Sequence, residues 1–228
     1  MTGKRAAMRA ETTAAIIRKA RQQIDTKGAP NISLREIARD LDMPSSAIYR
    51  YFESRDQLLT VLIIDGFNRL GAVVEAADAQ HRRDEFVGRW NSIAHAMRSW
   101  ALENPSDYGL MFGTPVPGYV APEDTVAPAM RYVDVLRRLL EDAHLGGCEP
   151  LVDSIKTKGI VGEYRTVRRS MNVNVSDEML LAGLAVWATL IGAISLEIFG
   201  HVDTVFTKPE VHFTALVDML GRQMMGLV

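Results

Sequence analysis

The stretch Ser33-Leu-Arg-Glu-Ile-Ala-Arg-Asp-Leu-Asp-Met-Pro-Ser-Ser-Ala-Ile-Tyr-Arg-Tyr-Phe52 constrains this chain more than any other. Ser33 and Glu36 have the spacing of a capping box, which starts a helix with Leu34, Ile37, Ala38 and Leu41 facing inward. Ala38 is small enough to let a second helix cross close by. Asp42 falls where the chain must turn sharply, and Asp tolerates the left-handed conformation better than a branched residue does. Pro44 suits the first turn of the next helix, where a missing N–H costs nothing. Ala47, Ile48, Tyr51 and Phe52 give that helix an apolar side, leaving Ser45, Ser46, Tyr49 and Arg50 outside.

Two short helices joined by a tight turn form a helix-turn-helix, whose second helix lies in the major groove of DNA. Small hydroxyls permit close approach, Tyr49 can bond a phosphate, and Arg50 is a bidentate donor for guanine. The same pair would also serve as an αα-corner in a helical enzyme or a small-molecule-binding protein. The order of cap, turn, aromatic end and basic surroundings favours the DNA-binding reading.

Charge supports it. The net charge is −2, yet residues 1–60 hold 11 Lys and Arg against 7 Asp and Glu, so the remainder carries −6. A basic end on an acidic body suits a polyanion held at one end. Because the reading helix has few cations, phosphate grip must also come from Lys4, Arg5, Arg9 and Arg35.

The rest of the chain predicts an all-α fold. Helical periodicity recurs, and no strand-length alternation of apolar and polar residues is convincing. The first helix is expected over Arg9–Lys27, with Ala14, Ile17, Ala20 and Ile24 on one face and Gly28 closing it. Ser54 and Gln57 form a second capping box for a helix to about Ala77. Further helices are expected over Asp84–Glu103, Pro105–Phe112, Glu123–His144, from Leu151 with a break near Gly159 or Gly162, from Ser176 to about Phe199, and over Pro209–Met225. Between Gly113 and Pro122, three prolines and two glycines predict an ordered loop.

Several classes find no support. Cys148 is the only cysteine, which excludes an internal disulfide framework and a Cys-rich zinc site and points to a reducing cytoplasm. The apolar run Leu180 to Ile194 is short for a membrane span, and no signal peptide follows the basic N-terminus. The five histidines form no ligand-spaced pair, and neither a His-Glu-x-x-His motif nor a Gly-rich phosphate loop occurs. No metal, cofactor or catalytic residue is therefore expected, nor a membrane partner.

The residues Ser33…Glu36-Ile37-Ala38, Ile48-Tyr49-Arg50-Tyr51-Phe52 and Ser54-Arg55-Asp56-Gln57-Leu58-Leu59 resemble the tetracycline-repressor (TetR) family of bacterial regulators. Asp42 stands where that family usually has Gly, Met43-Pro44 where Val-Ser is frequent, and Arg55 where Lys is usual. Trp187 to Gly200, with Leu196-Glu197, and the loop Phe112–Tyr119 resemble one branch of it. The resemblance implies a DNA-binding domain over 1–55 and a ligand-binding and dimerisation domain over 56–228. It implies a homodimeric repressor, released from a palindromic operator by a small apolar effector. DNA contacts would come from Ser33, Arg35, Ser45, Ser46, Tyr49, Arg50, Tyr51 and Arg55. Effector contacts would come from Trp90, Met97, Trp100, Tyr108, Met111, Phe112, Tyr164 and Trp187. The dimer seam would use Ile191, Ile194, Ile198, Phe213, Leu216 and Leu220.

Overall fold

The computed structural model describes residues 2–151 and 160–224, and every segment of regular structure among them is helical. The helices are α1 (Thr2–Lys27), α2 (Leu34–Asp40), α3 (Ser45–Ile48), α4 (Arg55–Asp78), α5 (Phe86–Glu103), α6 (Pro105–Phe112), α7 (Val126–Leu145), α8 (Ile160–Met171), α9 (Asp177–Ile198) and α10 (Pro209–Met219). The expected helix from Leu151 to a break at Gly159 lies almost wholly outside the described residues, as does Met225. α8 runs through Gly162 without interruption. α1 begins seven residues earlier than periodicity predicts, because its first turns are exposed and bear no apolar stripe to be read.

Two packing units divide the chain. One comprises the chain up to Arg69 with Asn104–Ala129; the other comprises Leu70–Glu103 with the chain from Met130 onward. The first unit thus reaches well past residue 55 and takes in α6 and the loop after it. Its core joins Ile16, Ala20 and Ile24 of α1 to Leu34, Ile37 and Ala38 of α2, Ile48 and Phe52, and Leu58, Leu59 and Leu62 of α4. Ala14, expected inside, is exposed; the buried face of α1 is rotated to begin at Ile16. Val116 of the proline-rich loop enters the same core, and the Tyr119 hydroxyl lies 2.9 Å from Thr60 Oγ1.

Both predicted capping boxes are half made. Ser33 Oγ accepts from the Glu36 amide at 3.4 Å, but the Glu36 carboxylate turns to Lys27 Nζ at 2.6 Å. The Ser33 amide instead donates to Oε1 of the buried Gln23 at 2.9 Å. Ser54 Oγ accepts from the Gln57 amide at 3.1 Å, while Gln57 reaches back one residue further, to the Glu53 amide at 2.6 Å. Pro44 caps α3 rather than entering it.

In the second unit, α5 is the central helix, burying Trp90, Ile93, Ala94, Met97 and Trp100 against α9 and α10. The Trp90 indole donates to the Val217 carbonyl at 2.8 Å. There α10 gives way to a π-helical turn, Leu220–Met224, and a Cβ on Gly221 would stand 2.7 Å from the indole. A side chain competing for the helical ladder is a recognised cause of such a change of winding. Arg89, also buried, is satisfied by Asp78 at 2.7 Å, Asp142 at 2.8 Å and the Arg83 carbonyl at 2.8 Å.

The turn between α2 and α3 depends on Asp42, whose φ is +53°. Asp42→Val is expected to lower the unfolding free energy by about 1–2 kcal/mol, the cost of left-handed backbone for a branched residue. Asp42→Gly is expected to leave it unchanged or higher. Urea denaturation of the two variants measures both.

Candidate nucleic-acid interface

α3 is a single α-helical turn, extended by tighter turns through Tyr51. The Arg50 amide bonds the Ala47 carbonyl at 3.2 Å, and the Tyr51 amide bonds that of Ile48 at 2.9 Å. So short a helix has little stability of its own. Burial of Ile48 and Phe52, respectively 0% and 3% exposed, fixes its rotation. The opposite side therefore presents Ser45, Ser46, Tyr49 and Arg50, all exposed, with Tyr49 at 42%. Arg35 and Arg39 of α2 are exposed too, as are Lys4 and Arg5 at the start of α1.

Other residues expected to meet DNA have intramolecular work. Ser33 caps α2. Tyr51 is half-buried under the Arg9 guanidinium, 5.3 Å from its ring centre, and Arg9 Nη2 donates to the Arg50 carbonyl at 3.0 Å. Arg55 is turned towards the end of α1, its Nη2 donating to the Pro30 carbonyl at 3.1 Å and lying 3.4 Å from that of Ala29. The phosphate-seeking charge expected of Arg9 and Arg55 is thus engaged by backbone carbonyls, a pairing that sequence spacing does not reveal.

The expected effector residues separate. Trp90 and Trp187 line one apolar cavity of about 230 Å³ in the second unit, with Leu136, Leu140, Met171 and Leu184. The Trp187 indole donates to the Tyr132 hydroxyl at 3.4 Å, and burial raises the pKa of that phenol. Among the described residues, Arg137 is the only charged one on the wall, and it is held by Asp134 at 3.1 Å, Glu141 at 3.3 Å and the Asn172 carbonyl at 3.1 Å. Met97, Trp100 and Tyr164 are buried elsewhere in that unit. Tyr108, Met111 and Phe112 belong to the first unit: Phe112 packs edge-on to Phe67 at 5.8 Å and beside Tyr108 at 4.8 Å. Met111 lies over Gly66, where a Cβ would be 2.6 Å from its sulfur.

Of the expected seam residues, Ile194, Phe213 and Leu220 are buried inside this one chain, while Ile191, Ile198 and Leu216 are half-buried. The outer side of α9 instead carries Ala188, Gly192, Leu196 and Phe199, with Leu196 at 48% and Phe199 at 46% exposed. The expected seam positions on α9, Ile191, Ile194 and Ile198, thus lie on its more buried side, and both sides of this helix are apolar. Only 33% of the most apolar part of α9 is buried, and α9 and α4 are each long and apolar enough to cross a membrane by length and composition. The apolar stretch of α9 is thus longer than the run from Leu180 to Ile194 indicates.

Arg55→Ala is expected to lower stability by about 1 kcal/mol, the scale of a part-exposed hydrogen bond from a charged donor. Arg50→Ala, whose side chain is exposed, is expected to stay within about 0.5 kcal/mol of the parent. Denaturant melts of the two variants separate the structural arginine from the free one.

Comparison with known proteins agrees with this geometry. Residues 16–62 match the profile of "Bacterial regulatory proteins, tetR family", and residues 90–220 match "Tetracyclin repressor-like, C-terminal domain". The chain is 36% identical over 224 residues to the HTH-type transcriptional regulators Mb1846 of Mycobacterium bovis and Rv1816 of Mycobacterium tuberculosis, covering 96% of this chain and 94% of each relative. The crystal structure of the regulatory protein SCO4313 superposes with a TM-score of 0.77 at 31% identity, covering 94% of this chain and 97% of that one. A TetR-family regulatory protein from Rhodococcus RHA1 shares the fold, with a TM-score of 0.66 at 20% identity over 93% of this chain and 96% of its own. An outward-facing reading helix on a buried helical pair, and a match along nearly the whole chain, make this protein a DNA-binding transcriptional regulator of the TetR family.

Proposed function

We propose that the protein is a homodimeric repressor that binds a near-palindromic operator in the cytoplasm and is released by a small, neutral, apolar effector. The observation that carries this reading is the exposed set Ser45, Ser46, Tyr49 and Arg50 on a helix whose other side is locked in the core. Residues 1–55 supply the DNA-binding part and residues 56–228 the sensing and dimerising part. Arg50 reads a base edge, Tyr49 and the serine hydroxyls meet the backbone, and Arg35, Arg39, Lys4 and Arg5 add phosphate grip. Arg55 and Tyr51 serve as supports for this surface.

A dimer is supported by α9. Ala188, Gly192, Leu196 and Phe199 recur every three to four residues on its outer side, and a Cβ on Gly192 would meet nothing within 4 Å. Small residues on a broad apolar stripe let a two-fold-related helix approach closely. Two copies would then place their reading helices about one DNA turn, roughly 34 Å, apart.

The effector seat is the cavity walled by Trp90 and Trp187. Arg137, the one cation among its described lining residues, is already paired, so a neutral aromatic or aliphatic molecule suits it better than an anion. An effector acts only by favouring one of two conformations, so its affinity must differ between the DNA-bound and free states.

In gel-shift titrations against the DNA upstream of its own gene, Tyr49→Ala with Arg50→Ala is expected to abolish the shift. Arg50→Ala alone should cost about 1–3 kcal/mol and relax specificity at the base pair it reads, whereas Arg35→Ala should reduce the slope of log affinity against log salt by about one. A shift insensitive to the double substitution would overturn the assigned surface. In a thermal-shift screen, apolar compounds are expected to raise the Tm of the parent but not of Leu184→Trp, which fills the cavity. Stabilisation by anions alone, or stabilisation retained in Leu184→Trp, would contradict the assigned seat.

A further inference from the structure

We propose that Asp107 is a positioning residue for DNA binding, acting on the reading helix through α1 as a rigid rod. The inference rests on residues 45–50 being the DNA-contacting surface. Asp107 lies on α6 and is only 3% exposed, a setting in which a carboxylate persists only when fully partnered. Its Oδ1 accepts from Arg21 Nε at 3.0 Å, and its Oδ2 accepts from Arg69 Nη2. Both arginines also meet Asp65, with Arg69 Nε at 3.0 Å, and Arg69 Nη1 donates to Asn104 Oδ1 at 2.8 Å. Two guanidiniums and two carboxylates thus tie α1, α4 and α6 together, and Asp107 is the deeply buried member. Planar guanidiniums hold carboxylates in fixed directions, so the cluster sets orientation as well as proximity.

The rod connects this cluster to the reading helix. α1 is continuous from Thr2 to Lys27. Arg9 precedes Arg21 by twelve residues, about 18 Å along a helix. Arg9 is the residue that bonds the Arg50 carbonyl and covers Tyr51. That contact is exposed and adds nothing to the core, so its consequence is where the end of the reading helix sits. Neutralising Asp107 removes the buried carboxylate on which Arg21 and Arg69 converge and leaves Asp65 as the remaining carboxylate against Arg21, which frees the C-terminal half of α1 to shift. The shift reaches the reading helix through Arg9.

A double-mutant cycle of Asp107→Asn and Arg9→Ala, read by fluorescence anisotropy of the full chain on labelled operator, tests this. Folded fraction is checked by circular dichroism at the assay temperature. Distant sites without shared partners act additively, so each single variant is expected to weaken binding roughly tenfold and the double variant no more than about threefold further. The salt slope of Asp107→Asn should match the parent, because no phosphate contact is lost. Effects that multiply in the double variant would assign Arg9 to an independent phosphate contact and overturn the rod, as would an Asp107→Asn protein that binds like the parent. Should Asp107→Asn fail to fold, Arg21→Lys takes its place in the cycle, keeping the charge but losing the fork, with the same expectations. Tyr49→Ala with Arg50→Ala serves as the control: binding retained there removes the reading-surface assignment itself, whereas binding lost there with an additive cycle removes only the rod.

Discussion

A reading helix one turn long depends on the burial of Ile48 and Phe52 beneath α1, α2 and α4. Each of these side chains contributes roughly 1.5–3 kcal/mol when removed from water, more than a single helical turn gains from its own hydrogen bonds. Their burial fixes which side of the turn faces out. The chain therefore uses a core shared by four helices and by Val116 of the proline-rich loop to present four polar side chains in one orientation. Without that core, Ser45, Ser46, Tyr49 and Arg50 would be a flexible polar segment.

The basic N-terminal region divides into two groups with different work. Arg9, Arg21, Lys27 and Arg55 are engaged by carbonyls or carboxylates of the same chain. Lys4, Arg5, Arg18, Arg35, Arg39 and Arg50 have exposed side chains, and Lys19 is half-buried. The charge excess that suggests a polyanion partner thus overstates the cations available to phosphate. Two copies on one operator, as proposed above, would double the available set.

Much of this was legible from residues alone. The helix-turn-helix boundaries, the left-handed Asp42, the inward set on α2 and the outward set on α3 follow from local chemistry, which a short motif carries within itself. Long-range partners were not legible. Nothing near Arg55 in sequence marks the carbonyls of Ala29 and Pro30 as its acceptors. Asp107 was open to recognition as an acidic residue on the otherwise inward side of α6, three residues after Asn104 and four before Met111, but its arginines lie 86 and 38 positions away. The expected effector residues divide between the two units for a related reason. Aromatic side chains mark burial without saying in which unit, and Tyr108, Met111 and Phe112 belong to the first unit while Trp90, Met97, Trp100, Tyr164 and Trp187 belong to the second. On α9 both sides are apolar, so periodicity alone could not tell the core side from the outer one.

Two copies of this chain, as proposed, read DNA with the exposed side of α3. Hydroxyl-radical footprinting of the purified full chain on its operator tests it most directly. Two protected patches related by a dyad and centred about one helical turn, roughly 10–10.5 base pairs, apart are expected. A single unsymmetrical patch, or protection without a dyad, would contradict it.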